Sequence, residues 1–448
     1  MKKICSILVV LLVGIFLFAG CGKSTGLTDN PDTNATVTSN GGSIVKKGDY
    51  IYFIGGQKKS EDLTNPKTDN LLGKTTVGAV YRAKIIDGEI QSQTEMVVPK
   101  VVGFENGGFY IFGDYIYYAT PNMGNDNTGN LMNNTVNFCR ININGNIKTN
   151  KVLNEGVSIG ENGQWKAYCI NGEVYFVAYT GSSLISVKAG NKKGEKVVMA
   201  SDVTSASLPD LDIYSPTNQE NAPEFDNKTG LEEYNQWIYF TQAHDSDSES
   251  KGNILLKVKV GSSDSQVISR SDEQEYIYTI KAQRDGYLFY TKKNGAQEDS
   301  RALLYKSEIT NGFDNETKIC NAEYENIYIL KEGKNIIIVT HEETALMSND
   351  GTNLVSLNNG EITIIGSNGK YLYYYDKTDG SIVRINAFDG TKLTLYKDGD
   401  KNSAMTEGGL LVDIAGNYIV FYEIKNDSMS TVLVDCSANV AKIVEMNY

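Results

Sequence analysis

A short phrase recurs eight times along the chain: a tight turn, an aromatic strand, a loop, and a second strand that in its clearest copy ends in a basic residue. Its copies begin at Gly48 (GDYIYF), Gly113 (GDYIYY), Asn171 (NGEVYF), Asn235 (NQWIYF), Asp285 (DGYLFY), Gly333 (GKNIII), Gly369 (GKYLYY) and Gly416 (GNYIVF). Successive starts lie 65, 58, 64, 50, 48, 36 and 47 residues apart, the span of a four-stranded propeller blade whose loops vary in length. A second marker keeps step with the first: Val80-Tyr81-Arg82, Phe138-Cys139-Arg140, Leu184-Ile185-Ser186, Leu255-Leu256-Lys257, Leu304-Tyr305-Lys306, Leu346-Met347-Ser348, Ile382-Val383-Arg384 and Val432-Leu433-Val434.

The tyrosine strands are apolar at nearly every position, as in Tyr50-Ile51-Tyr52-Phe53-Ile54 and Tyr371-Leu372-Tyr373-Tyr374-Tyr375. A strand of that kind is covered on both faces. Flanking blades supply such cover without helices, and Gly, Asn and Asp punctuate the chain too often for helical periodicity to persist. The expected fold is therefore all-β: a single propeller over residues 44–448 with strands A to D in each blade, eight blades by the repeat count and seven as the other count considered. A ring of this kind escapes the size limit of one compact core, because each blade packs only on its neighbours.

Ahead of the repeats, Lys2 and Lys3 precede an apolar run from Ile7 to Phe18, which reads as an export signal over residues 1–20. Ala19-Gly20 before Cys21 resembles the lipobox of bacterial lipoproteins. That resemblance implies acylation of Cys21, cell-membrane anchoring and an extracytoplasmic location; a plain secretory signal or an uncleaved helix is the other reading. Residues 21–43 are rich in Ser, Thr, Asn, Asp and Gly and are expected to form a flexible tether.

Loss of Lys2 and Lys3 takes the formal charge from −13 to −15, which argues against nucleic-acid partners. Cys139, Cys169, Cys320 and Cys436 are far apart inside expected strands, and read as free thiols in preference to disulfides. The chain holds two histidines, His244 and His341, and neither stands in a nucleophile motif. The acidic stretches 245–249 and 398–402 begin like calcium loops but place Leu256 and Gly409 where a bidentate acid is needed. No cofactor, metal or catalytic residue is expected.

Leu372-Tyr373-Tyr374-Tyr375-Asp376 with Ile382-Val383-Arg384 and Asp389-Gly390 resembles the YWTD propeller repeat of the low-density-lipoprotein-receptor family, and the related domain of unknown function found in bacterial lipoproteins. Ile238-Tyr239-Phe240-Thr241 and Leu288-Phe289-Tyr290-Thr291 keep the threonine. The resemblance implies binding of other proteins without catalysis.

Alternate strand direction puts the A-to-B and C-to-D turns on one face of the ring and the B-to-C and D-to-A loops on the other. The long segments Gly55 to Gly78, Ala119 to Asn137, Thr204 to Glu233 and Thr241 to Asn253 are all expected on the second face, in blades one to four. Met123, Tyr214 and Phe225 are its candidate anchors; the bland account is polar insertions folded back on the ring. The leading function is an anchored module that binds a protein or cell-envelope glycan. A glycan- or peptide-active enzyme with acids at the channel, and a sensor domain for a membrane partner, are the other two.

Overall fold

The structure, a computed structural model, describes residues 29–447 apart from 56, 60–77, 102–106, 123–134, 160–162, 191–195, 210–235, 245–250, 269–274, 285, 298, 311–312, 321–325, 330–334, 340–343, 349, 358–361, 369, 387–388, 398–411 and 426–427. Eight antiparallel sheets, each with four consecutive strands, follow one another at 44–98, 109–158, 164–200, 203–267, 276–320, 326–356, 362–397 and 412–445. The second strands are Tyr50–Gly55, Tyr115–Pro121, Glu173–Tyr179, Trp237–Ala243, Tyr287–Asn294, Asn335–Val339, Tyr371–Asp376 and Tyr418–Lys425. Each begins two residues after its repeat start. The short sixth unit is a complete sheet.

Side-chain alternation explains why these strands are apolar throughout. In the first sheet Tyr50, Tyr52 and Ile54 pack with Phe109, Ile111 and Tyr118 of the second, while Ile51 and Phe53 pack with Ala415, Tyr418 and Val420 of the eighth. Similar apolar clusters join every neighbouring pair: second to third through Phe138, Trp165 and Phe176, third to fourth through Tyr168 and Phe240, fourth to fifth through Tyr239 and Tyr290. Phe289 with Met347, Leu346 with Tyr374, and Tyr373 with Ile419 complete the circuit. Eight sheets joined by eight clusters, the last returning to the first, make a closed eight-bladed β-propeller.

The turns use the backbone conformations their residues supply. At the A-to-B turn of the third blade, Asn171 (φ 52°) and Gly172 (φ 79°) are both left-handed, and at the first C-to-D turn so are Asp87 (φ 53°) and Gly88 (φ 83°). Two consecutive left-handed residues match the twist of the strands they join.

No blade borrows its fourth strand from the other end of the chain. The joint between the eighth and first blades is closed by smaller devices. Gln57–Lys59, from the B-to-C connection of the first blade, pairs with Ser428–Ser430 on the third strand of the eighth. The Asp413 carboxylate accepts from the Ser43 amide at 2.6 Å. Near the C-terminus, the Asn447 amide donates to the Ser92 carbonyl and Asn447 bridges Gln93 in parallel.

Two expectations are corrected here. The chain is not a free tether up to residue 43: from Asp29 onward it lies against the first two blades, and Val37–Thr38 pairs with the first strand as an added fifth. The segment Thr204 to Glu233 is not a D-to-A or B-to-C loop. Val203–Ala206 and Trp237–Ala243 are the first and second strands of the fourth blade, so this connection leaves from the A-to-B side, opposite the B-to-C connections of blades one, two and four.

Candidate binding faces

The basic residue of the second marker has a definite place. It sits diagonally across from the first aromatic residue of the preceding strand and lays its cation over that ring. Arg82 lies 5.3 Å from the Tyr50 centroid, Arg140 4.4 Å from Tyr115, Lys257 4.7 Å from Trp237, Lys306 5.1 Å from Tyr287 and Arg384 4.4 Å from Tyr371. In the third blade Glu173 replaces the aromatic residue and pairs with Lys188 at 2.6 Å. The cation is thus a device for fixing strand to strand.

Tyrosine hydroxyls of the first and second strands carry the hold to the next blade. Tyr52 donates to the Ile143 carbonyl at 3.2 Å, Tyr168 to the Pro209 carbonyl at 2.9 Å, and Tyr373 to Asn417 at 3.2 Å. Burial pushes the Tyr52 phenol up to about 12 and raises that of Tyr373. Arg384 donates to the Cys436 and Ala438 carbonyls and to Asn439 Oδ1, at 3.3, 3.4 and 3.0 Å. In the fifth blade the Lys292 ammonium lies 4.5 Å from the Tyr276 ring and 5.6 Å from Tyr278, and pairs with Glu316. The tyrosines around Lys292 are therefore engaged from within the ring.

The first face, carrying the A-to-B and C-to-D turns, also carries the N-terminal arm. Tyr50 donates to the Asp29 carbonyl and carboxylate at 2.7 and 2.8 Å, and Lys84 pairs with the same carboxylate. These partners hold the Asp29 carboxyl below its ordinary range. Arg82 is 1% exposed, binds Glu95 at 2.7 Å and donates to Asn30 Oδ1 at 2.7 Å. The arm then crosses to the second blade: Thr33 donates to Asp114 at 2.6 Å, and Asn40 makes a paired bond with the backbone of Ile111. Lys47, buried beneath, donates to the carbonyls of Thr33 and Ala35.

On the second face, the B-to-C connections of the first, second and fourth blades depart between Gly55 and Ala79, Pro121 and Thr135, and Ala243 and Asn253. Part of the first is spent on ring closure through Gln57–Lys59. Met123, Tyr214 and Phe225 lie outside the described residues, as do Cys21, His341 and both acidic stretches. Met123 belongs to a connection on the second face. Tyr214 and Phe225 belong to the connection that departs from the first.

Among the described residues, no group of three His, Cys, Asp or Glu side chains is placed to hold a metal. The innermost strands of the eight blades carry one acid, Asp413, whose carboxylate accepts from the Ser43 and Ile414 amides. Cys139, Cys169 and Cys436 are free thiols, and burial pushes Cys139 and Cys436 up to about 12; the side chain of Cys320 lies outside the described residues. Sequence reasoning missed three exposed apolar residues on the first face: Ile86, Ile147 and Val440, at 48, 63 and 75% exposure. In the sequence each is a single branched apolar residue in or beside a polar turn, which sets up no pattern.

No protein-family model and no curated protein sequence matches the chain. Among solved structures, a prolyl endopeptidase aligns at TM-score 0.47 and 9% identity over 90% of this chain and 55% of its own, so the chain spans about half that peptidase's length. A eukaryotic initiation factor aligns at 0.41 and 11% over 83% of this chain and 84% of its own. A chain of a nidogen–laminin complex aligns at 0.31 and 10% over 70% of this chain and 88% of its own. The architecture stands on the eight sheets and their eight joints, independently of these alignments.

Proposed function

We propose that this chain is a lipid-anchored, extracytoplasmic propeller of the YWTD-like kind that binds a protein or cell-envelope glycan and performs no catalysis. Cys21 carries the lipid, and the binding contacts lie on the face of the B-to-C connections of blades two and four, with Met123 among them. The observation that carries the reading is how the ring employs its own chemistry. The cations of the repeat lie over aromatic rings, the tyrosine hydroxyls bond carbonyls and amides, and the inner acid is capped by backbone amides.

A general acid or base works best with a pKa near the operating pH. Here the buried thiols and phenols are driven upward, and the shifted carboxylates, such as Asp29 and Asp350, downward. Long connections on a rigid ring are then the remaining place for recognition. Tyr214 and Phe225 form a separate candidate surface on the opposite side.

The test is crosslinking in native membranes with three chains: unaltered, with residues 123–134 and 245–250 replaced by short Gly-Ser turns, and with 210–235 so replaced. Capture lost in the second and kept in the third assigns the partner to the B-to-C face. Capture kept in both would reject it.

A further inference from the structure

We propose that the face bearing the A-to-B and C-to-D turns, over the sector of the eighth, first and second blades, rests on the lipid bilayer. The proposal builds on Cys21 being the anchor and adds which side of the ring the anchor turns towards the membrane.

The first observation is where the described chain starts and what holds it there. Asp29 is fixed by Tyr50 and Lys84, the opposed residues where the second and third strands of blade one approach their turns. The arm continues over Gly48, at the A-to-B turn of blade one, whose amide donates to the Thr36 carbonyl, and reaches Asp114 at the same turn of blade two. Asp29, the first described residue and the nearest one to Cys21, therefore lies on this face.

The second observation is length. Eight chain steps separate Cys21 from Asp29, a reach of at most about 29 Å at ~3.6 Å per residue. The B-to-C face is farther by the height of the ring, roughly 20 Å for a seven-residue strand such as Gln164–Ile170 at ~3.3 Å per residue. Most of the tether would be spent bringing that face down to the anchor, whereas the A-to-B face needs none of it.

The third is the surface itself. Val440 lies on the C-to-D turn of blade eight, Ile86 at the start of that of blade one, and Ile147 in that of blade two. Tyr418 of blade eight donates to Gly88 of blade one at 3.1 Å, and Lys442 pairs with Glu89 at 2.8 Å, so the first two turns adjoin. Three exposed apolar side chains on successive turns of one face are too few to draw a protein of charge −15 from solution. They suffice to orient one already tethered, because the anchor makes their contact with the interface intramolecular. A phosphatidylcholine surface, without net charge, does not oppose that contact electrostatically.

The test uses the full lipidated chain in phosphatidylcholine vesicles, with an environment-sensitive fluorophore on one introduced cysteine at a time: Ile86→Cys, Ile147→Cys, Val440→Cys, and Thr378→Cys on a B-to-C turn as control. Cys139 and Cys436 are buried and stay unlabelled in the folded ring, and Cys169, which is partly exposed, and Cys320 are first replaced by serine. Flotation with the vesicles together with a blue shift at 86, 147 and 440 but not at 378 supports the seating. Flotation with all four labels in water overturns the seating and leaves the anchor intact. Absence of flotation, or of acyl mass on Cys21, overturns the anchor and the seating with it. A shift that appears without vesicles and grows with protein concentration assigns the face to a second copy and overturns the proposal.

Discussion

Blades one and seven use the same device to different ends. In both, an arginine of the third strand lies over the first tyrosine of the second, Arg82 over Tyr50 and Arg384 over Tyr371. Beyond the ring contact they part. Arg384 turns to the following blade and donates to carbonyls of its C-to-D turn, whereas Arg82 turns to Glu95 of its own blade and to Asn30 of the arm. The cation over the aromatic ring belongs to the repeat; its remaining donors go to whatever the local neighbour offers. A basic residue at this position thus marks a joint and carries no information about a ligand.

The largest effect should come from Arg82→Ala, which leaves Glu95 without its buried partner and frees Asn30. Because Glu95 keeps a quarter of its exposure, the loss is expected near the low end for a broken buried pair, about 3 kcal/mol in denaturant unfolding. Arg384→Ala should cost less, about 2 kcal/mol, since it removes charge-assisted bonds to neutral acceptors and strands no opposite charge. If Arg384→Ala proves the costlier, the distinction between the two joints is wrong.

Tyr373→Phe removes the bond donated to Asn417 and a longer one accepted from Asn368 at 3.4 Å, and should lower stability in denaturant unfolding by about 1.5 kcal/mol. Tyr52→Phe removes the bond donated to the Ile143 carbonyl and should cost less, about 1 kcal/mol.

The arm adds a pH dependence of its own to that of blade seven, where Asp379 and Asp389 are likewise held low by Ser381 and Thr391. Its partners depress the Asp29 carboxyl in the folded state, so its contribution is present above the unfolded value, about 3.9, and is lost as pH falls through the lower folded value. Hydrogen exchange over residues 30–36 should quicken across that acid range in the unaltered chain. Asp29→Asn should remove this dependence while leaving exchange in blade seven unchanged.

The smallest effect expected is none. Cys139 and Cys436, with thiols pushed up to about 12, should resist maleimide at neutral pH until denaturant is added. Labelling of Cys139 or Cys436 in the native protein, read by peptide mapping because Cys169 is partly exposed, would contradict their burial.

The eight second strands were legible in the sequence because each carries both its turn and its double-sided apolar run, even in the short sixth unit. The first strand of blade four was not. Val203–Ala206 is Val-Thr-Ser-Ala, held by hydroxyl contacts of Thr204 and Ser205 with Thr241 and by Ser205 accepting from the Ile280 amide. Binding of that kind leaves no apolar pattern, so the connection after it was assigned to the wrong face. The arm was hidden for a similar reason. Asp29, Asn30, Thr33 and Asn40 are what a solvated tether contains, and composition alone does not reveal that each finds a partner on the ring. Of the candidate site, the long connections were visible by length, but their side of the ring depended on strand order that only the sheets supply.

Each blade contains its own four strands in succession, so seven of the eight joints form between stretches that are neighbours in sequence, and such local contacts favour rapid assembly. The eighth joint differs: Asn447 must reach Ser92, and Asp413 must reach Ser43, across nearly the whole polypeptide. During synthesis the blades can therefore stack in order as an open arc, and the circle shuts only when the strands of the eighth blade have emerged.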